Sequence, residues 1–281
     1  MKYQKLLSLL LAALMLLPAV ALAEEEAEGN VTVIDVLTPI TDEVEAGEVT
    51  EFTSDPFIPE GLEKDIIGLD NRVTIDNPAA YPYSAIGYLI LKWQCGCNGT
   101  GSGFLIKPDV MLSAAHIACC QYHNKPLTSM TAYFGYRSQK NYAYKFTGRT
   151  TFWYNPDFFA SSGKVWYGWD YSYFKLSERV GDRVGWFGYS ARSDANLDMT
   201  LVEVAGYRDG VLKTDWDYLH VETSNCVSYE NDTLPGNSGC PVFDSDYRVL
   251  AINTSAYTNP NYGCRITSAM LNEMRRNGVI D

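Results

Sequence analysis

From residue 65 onward, short apolar bursts alternate with turn-forming residues, and this rhythm constrains the fold more than any other feature. The bursts include Ile86-Gly87-Tyr88-Leu89-Ile90-Leu91, Gly103-Phe104-Leu105-Ile106, Val110-Met111-Leu112, Tyr171-Ser172-Tyr173-Phe174-Lys175-Leu176, Val202-Glu203-Val204 and Val249-Leu250-Ala251-Ile252. Gly, Asn, Asp or Pro interrupts the chain at intervals of roughly 8–12 residues, which is strand-and-turn spacing. Nothing in it alternates strand with helix, so the expectation is an all-β antiparallel sandwich or barrel. Residues 65–281 supply 217 positions, enough for one large or two small cores. Only the tail, about residues 268–277, reads as a helix: Thr267 or Ser268 caps it, Met270, Leu271 and Met274 share a face, and Gly278 ends it.

The first 64 residues are a different kind of chain. Lys2 and Lys5 precede an apolar run from Leu6 to Leu17, and Ala21-Leu22-Ala23 follows as a small-x-small site. Twelve apolar residues fall short of the roughly 20 that cross a bilayer as a helix. Residues 1–23 are therefore expected to be a signal peptide, and the product to be secreted and extracellular. Residues 24–64 hold thirteen acidic side chains against Lys64 alone, too charged to form a packed core by themselves, and read as an acidic propeptide or spacer. The net charge of −12 resides in that leader. Residues 65–281 carry 19 basic and 21 acidic side chains, without a basic stripe for nucleic acid or a second apolar span for a membrane.

Seven cysteines lie at 95, 97, 119, 120, 226, 240 and 264. Export favours disulfides over metal ligands, and the odd number leaves at least one thiol free or paired between chains. Cys95-x-Cys97 and Cys119-Cys120 with His123 could in principle hold zinc, but adjacent cysteines in a two-plus-two pattern are not a usual zinc spacing. No metal and no organic cofactor are expected.

Three segments carry chemistry. Leu112-Ser113-Ala114-Ala115-His116 ends an apolar strand in small residues, a setting that leaves an imidazole facing a cleft. His123 and His220 lack that setting. Asp170 heads a strand between Trp169 and Tyr171, where a carboxylate must be hydrogen-bonded to stay ionised. Gly236-Asn237-Ser238-Gly239 can hold a serine on a tight turn, with the Gly236 and Ser238 N–H groups forming an oxyanion hole. Taken alone, each has a bland reading as a surface histidine, a strand-end cap or a turn. Together, in the order His116, Asp170, Ser238, they have the chain order of a chymotrypsin-type triad, distinct from the subtilisin and α/β-hydrolase orders.

The resemblance extends over nearly all of residues 66–281. Ile67-Gly68, Asp70, Ala80-Tyr81-Pro82-Tyr83-Ser84-Ala85-Ile86, Gly101-Ser102-Gly103-Phe104, Ala114-Ala115-His116, Asp170-Tyr171, Val184-Gly185-Trp186-Phe187-Gly188-Tyr189-Ser190, Asp232-Thr233, Gly236-Asn237-Ser238-Gly239 and Arg265-Ile266-Thr267 resemble the bacterial glutamyl endopeptidases, a branch of the trypsin superfamily. The resemblance implies two six-stranded antiparallel β-barrels, about residues 80–178 and 184–266, followed by the C-terminal helix. It also implies an exported zymogen, expected to act as a monomer on protein or peptide substrates.

Glutamate preference in that family is linked to a Thr or Ser before the nucleophile and a His on the following strand. Thr233 fits the first role; Asn253, beside Thr254, stands at the second and brings no positive charge, which leaves the P1 preference open. Asp232 permits a rival Lys/Arg reading, and apolar specificity is a third. Asn237 precedes the nucleophile in place of an aspartate, so a released N-terminus would have no carboxylate to pair with there. Cleavage after Lys64, or after Glu63, is expected. A bridge from Cys95 or Cys97 to Cys119 or Cys120, and another from Cys240 to Cys264, are expected. A catalytically silent homologue that binds proteins, or an esterase using the same acyl-enzyme, are the alternatives of a different class.

Overall fold

The computed structural model describes residues 32–36, 66–67, 69–160, 164–255 and 260–281. The expected signal peptide and the expected cleavage site at Lys64 lie outside the described residues.

Two sheets carry the fold. In the first, Ile86–Trp93 pairs antiparallel with both Asn98–Lys107 and Lys125–Phe134, and Asn98–Lys107 pairs in turn with Val110–Ser113. Ser172–Leu176 lies between Val110–Ser113 and Thr150–Tyr154. In the second, the long hairpin Thr200–Arg208 and Val211–Val221 is joined by Pro241–Phe243, Arg248–Ser255, Asn261–Arg265 and Cys226–Tyr229. That hairpin turns on Asp209 and Gly210, both at positive φ (50° and 73°), the Asp-Gly chemistry of a tight two-residue β-turn.

The apolar bursts are continuous, not alternating, because the strands of the first barrel are buried on both faces. Side chains alternate along a strand. Leu89, Leu91, Leu105, Met111, Phe174 and Leu176 therefore fill the barrel interior. Their neighbours Ile86, Tyr88, Phe104, Ile106, Val110, Leu112 and Tyr173 form a second cluster with Phe187, Phe243, Met270 and Met274, from the other barrel and the C-terminal helix. Phe187 bridges the two halves edge-on to Phe104 (6.0 Å between centroids) and tilted against Phe243 (5.0 Å). A third cluster, including Leu219, Val227, Val242 and Leu250, fills the second barrel.

The two-barrel expectation holds. The sheets count nine and eight strands because short flanking segments extend the six-stranded cores. One of these extensions was not legible in the composition: Thr32–Val36 of the acidic leader pairs antiparallel with Thr150–Tyr154 at the edge of the first sheet. The tail is a helix over Ser268–Arg276, with Thr267 accepting the Met270 N–H and Gly278 at φ 66° beyond its end. Ala115–Ala118, Asp157–Ala160, Gly181–Val184 and Asp194–Leu197 are single helical turns, too short to leave a periodic signal.

Candidate functional site

Register brings His116 and Asp170 together. Ser172 pairs with Ser113 across adjacent antiparallel strands, so Asp170, two residues before one, and His116, three after the other, leave the sheet at the same rim. Ser172 Oγ donates to the Ala114 carbonyl (2.7 Å), holding the chain where it turns into the Ala115–Ala118 helix. His116 Nδ1 lies 2.7 Å from Asp170 Oδ2, and the His116 backbone N–H donates to Asp170 Oδ1 (3.0 Å). A carboxylate only accepts, so the imidazole proton sits on Nδ1 and Nε2 is left as a base. Asp170 is 1 % exposed, and the partner that its shelter demanded is this histidine.

The Ser238 turn is held against the first barrel by Ser102. The Ser102 N–H donates to the Ser238 carbonyl (2.8 Å), while its Oγ donates to the Gly236 carbonyl (3.0 Å) and accepts the Tyr207 N–H (3.0 Å). Beside it, Gly101 sits under the side chain of Ile117, the residue after His116. The serine turn and the histidine helix thus rest on the same strand. Sequence reading counted Ser102 within the Gly101-Ser102-Gly103-Phe104 stretch but gave it no role; a serine between two strand glycines was the available signal.

The turn depends on its glycines. Gly236 and Gly239 have φ of 98° and 81°. A Cβ on Gly239 would lie 2.1 Å from Ser113 Oγ and 2.3 Å from the Ser102 carbonyl. The amides of Asn237, Gly239 and Cys240 donate to Leu234, Asn253 and Asn237 carbonyls. Among the described residues, the N–H groups of Gly236 and Ser238 have no protein acceptor. The Asn237 side chain accepts the Leu234 N–H (2.7 Å) and donates to the Tyr207 carbonyl (3.3 Å). Those two bonds occupy the place where a buried carboxylate would receive a new N-terminus.

Thr233, Asn253 and Thr254 are all buried. The Tyr229 hydroxyl lies 2.7 Å from Asn253 Oδ1 and 3.1 Å from the Tyr262 carbonyl, which orients the amide so that Nδ2 is its remaining donor. Thr254 Oγ1 donates to the Tyr262 carbonyl (3.2 Å) and is a sheet contact. Among the described residues, Thr233 Oγ1 is buried without a hydrogen-bond partner, as are the Oδ1 atoms of Asn231 and Asn261.

The Asp232 carboxylate is engaged by backbone amides. Its two oxygens accept the backbone N–H groups of Ile67 (2.6 Å) and Asn71 (2.8 Å), and its own N–H donates to Asp215 Oδ2 (2.7 Å). Asp232 thus ties Ile67 and Asn71 to the second barrel. Burial pushes the Asp215 carboxyl above its ordinary range, opposed by the two amides it accepts.

The structure holds none of the expected disulfides: the seven cysteines are unbonded to one another. Cys119 and Cys120 are successive strand residues and face opposite ways. Cys119 joins the barrel core and donates to Asn124 Oδ1 (3.3 Å), whereas Cys120 turns toward His123. Cys264 Sγ donates to the Gly168 carbonyl (3.0 Å) and is not bonded to Cys240.

No family model matches the chain. It is 29 % identical over 232 residues to a glutamyl endopeptidase of Bacillus licheniformis, covering 75 % of this chain and 68 % of the relative. It is 28 % identical over 219 residues to an extracellular metalloprotease of Bacillus subtilis, with the same coverage. Among solved structures, a Glu endopeptidase in complex with MPD superposes with TM-score 0.63 at 20 % identity, over 76 % of this chain and 100 % of that one. A collagenase superposes at 0.55 and 16 % identity, over 76 % and 100 % of the two chains. The name of the B. subtilis relative refers to a metal; at His116 both Asp170 oxygens are engaged by the histidine itself. The chain is a glutamyl endopeptidase-like serine endopeptidase of the chymotrypsin fold. Among the described residues, no helix is long and apolar enough to cross a membrane.

Proposed function

We propose that the chain is an exported precursor whose processed form hydrolyses peptide bonds through Ser238, His116 and Asp170, with a pocket that accepts an acidic P1 side chain. The observation that carries the reading is the two-point grip of Asp170 on His116, at Nδ1 and at the backbone N–H (2.7 and 3.0 Å). That grip fixes the tautomer in which Nε2 takes the proton of Ser238 as it attacks the scissile carbonyl, and then returns it to the leaving amine. Asp170 stabilises the imidazolium in between. The Gly236 and Ser238 amides, which bond no protein carbonyl among the described residues, would receive the developing oxyanion. Losing one such donor typically costs about 10²–10³ in turnover.

The unpartnered Thr233 hydroxyl and the Nδ2 of Asn253 are two donors suited to a carboxylate, and neither carries charge. Charge-assisted bonds are roughly twice as strong as neutral ones. The preference for Glu over Gln should therefore be shallow. Asp232, holding Ile67 and Asn71, supports a domain that begins near residue 65 after removal of the signal and leader.

The test is a P1 scan on the processed enzyme, using peptides that differ only in Glu, Asp, Gln, Lys, Arg, Leu or Phe, with Ser238→Ala as control. Cleavage after Glu that disappears in the Ala variant is expected. Cleavage after Lys or Arg would overturn the pocket reading, and the absence of both turnover and fluorophosphonate labelling would overturn the catalytic one.

A further inference from the structure

We propose that Cys95, Cys97, Cys120 and His123 form a structural zinc site, built beside the catalytic histidine from the loops of the first barrel. The three Sγ atoms and a ring nitrogen of His123 all lie within 4.8 Å of one another. Cys97 Sγ and Cys120 Sγ are 3.5 and 3.6 Å from His123 Nδ1. A tetrahedral zinc with bonds of about 2.3 Å to sulfur and 2.0 Å to nitrogen separates those atoms by about 3.5 Å. The two sulfur–nitrogen edges from Cys97 and Cys120 to His123 already have that length.

The objection raised by the sequence pattern disappears in the fold. Cys119 faces the barrel core and takes no part, so the ligands are not two adjacent pairs. They are Cys95-x-Cys97 from one tight turn and Cys120-x-x-His123 from another. Gly96, at φ 88° with open space around it, lets the first turn bring both sulfurs to one side. The second is closed by Asn124 N–H donating to the Cys120 carbonyl (2.8 Å), with Asn124 itself at φ 47°. A single disulfide would use two of the sulfurs and leave the third with the imidazole converging on nothing.

Four protein ligands make a closed site, structural and not catalytic. Its place in the chain gives it a task. The Cys120 arm continues directly from the Ala115–Ala118 helix that carries His116. The Cys95–Cys97 arm hangs from Trp93, whose Nε1 donates to the Ile117 carbonyl (3.0 Å) and whose N–H donates to the Cys97 carbonyl (3.0 Å). Zinc would staple these two loops and so fix the helix that aims His116.

The full-length Ser238→Ala protein, which cannot digest itself, purified without reductant, allows the test. Elemental analysis is expected to give one zinc per chain that survives gel filtration, and cobalt substitution to give intense thiolate-to-cobalt absorption of a tetrahedral S₃N site. His123 is exposed, so both of its variants should fold. His123→Ala should weaken zinc binding by about tenfold or more, while His123→Cys should retain the metal and shift the cobalt spectrum. Absence of metal together with a Cys120 disulfide to Cys95 or Cys97 in non-reduced peptide maps would overturn the proposal. Zinc content unchanged in both His123→Ala and Cys97→Ser would overturn it as well.

Discussion

At the scale of single residues, Asp170 contributes through what it accepts. Its Oδ1 holds the His116 backbone and its Oδ2 the imidazole, so the two oxygens have separable roles, one in placement and one in tautomer. Asp170→Asn keeps the shape and an acceptor oxygen but can turn an amide donor toward Nδ1, stabilising the wrong tautomer. Steady-state kinetics should then show kcat lower by about 10⁴ with KM little changed. An unaltered kcat would remove Asp170 from the mechanism. The sequence nominated His116, Asp170 and Ser238 because each has a local setting suited to the proposed task and their order along the chain is that of a chymotrypsin-type triad; the structure pairs the first two. Ser102 was not legible, because its importance lies in bonds to Gly236, Ser238 and Tyr207, residues more than a hundred positions away. Asp232 was misleading for the same reason: its neighbours in sequence say nothing of Ile67 and Asn71.

Among the elements, the C-terminal helix shows how a surface segment is tied to the site. Its Glu273 is buried and accepts from the hydroxyls of Tyr171 (2.8 Å) and Tyr173 (2.9 Å), on the strand that begins just after Asp170. Asn155 and Asn277 donate to those same two hydroxyl oxygens. Burial raises the Glu273 carboxyl above its ordinary 4.5, with the two hydroxyls opposing the shift. The folded state therefore binds this proton more tightly than the unfolded chain. The resulting stability is fully present below about 4.5 and is lost as pH rises through the elevated folded value. Thermal melts of Glu273→Gln should lose that descent relative to the parent, since a carboxamide does not ionise. Identical pH profiles would show that Glu273 does not titrate in this range. The helix itself was legible from its cap and apolar face, whereas the role of Glu273 was not, because a glutamate on a surface-like helix reads as solvated until its tyrosine partners arrive from the other barrel.

For the molecule as a whole, the leader and the domain are coupled through a sheet edge. Thr32–Val36 covers Thr150–Tyr154, whose other side pairs with Ser172–Leu176. Removing the leader would turn a central strand into an edge with unpaired amides. Hydrogen exchange across residues 150–154 should accelerate in the processed form relative to the precursor, with the Ile86–Trp93 amides unaffected. Equal exchange in the two forms would mean that the leader does not pair there in solution.

The sequence by itself determined the all-β class, the two-barrel division and the terminal helix, and it nominated His116, Asp170 and Ser238 for acyl transfer. Those properties follow from local patterning: burst length, turn residues, capping, and residue types in a diagnostic order. Tertiary structure decided which side chains share a partner. It set Cys119 and Cys120 on opposite faces, gathered three sulfurs and an imidazole where disulfides were expected, and spent Asp232 on the chain start. It also left the Thr233 hydroxyl buried without a partner among the described residues. Each of these depends on contacts between segments distant along the chain, and the geometry of such contacts exists only once the barrels have closed.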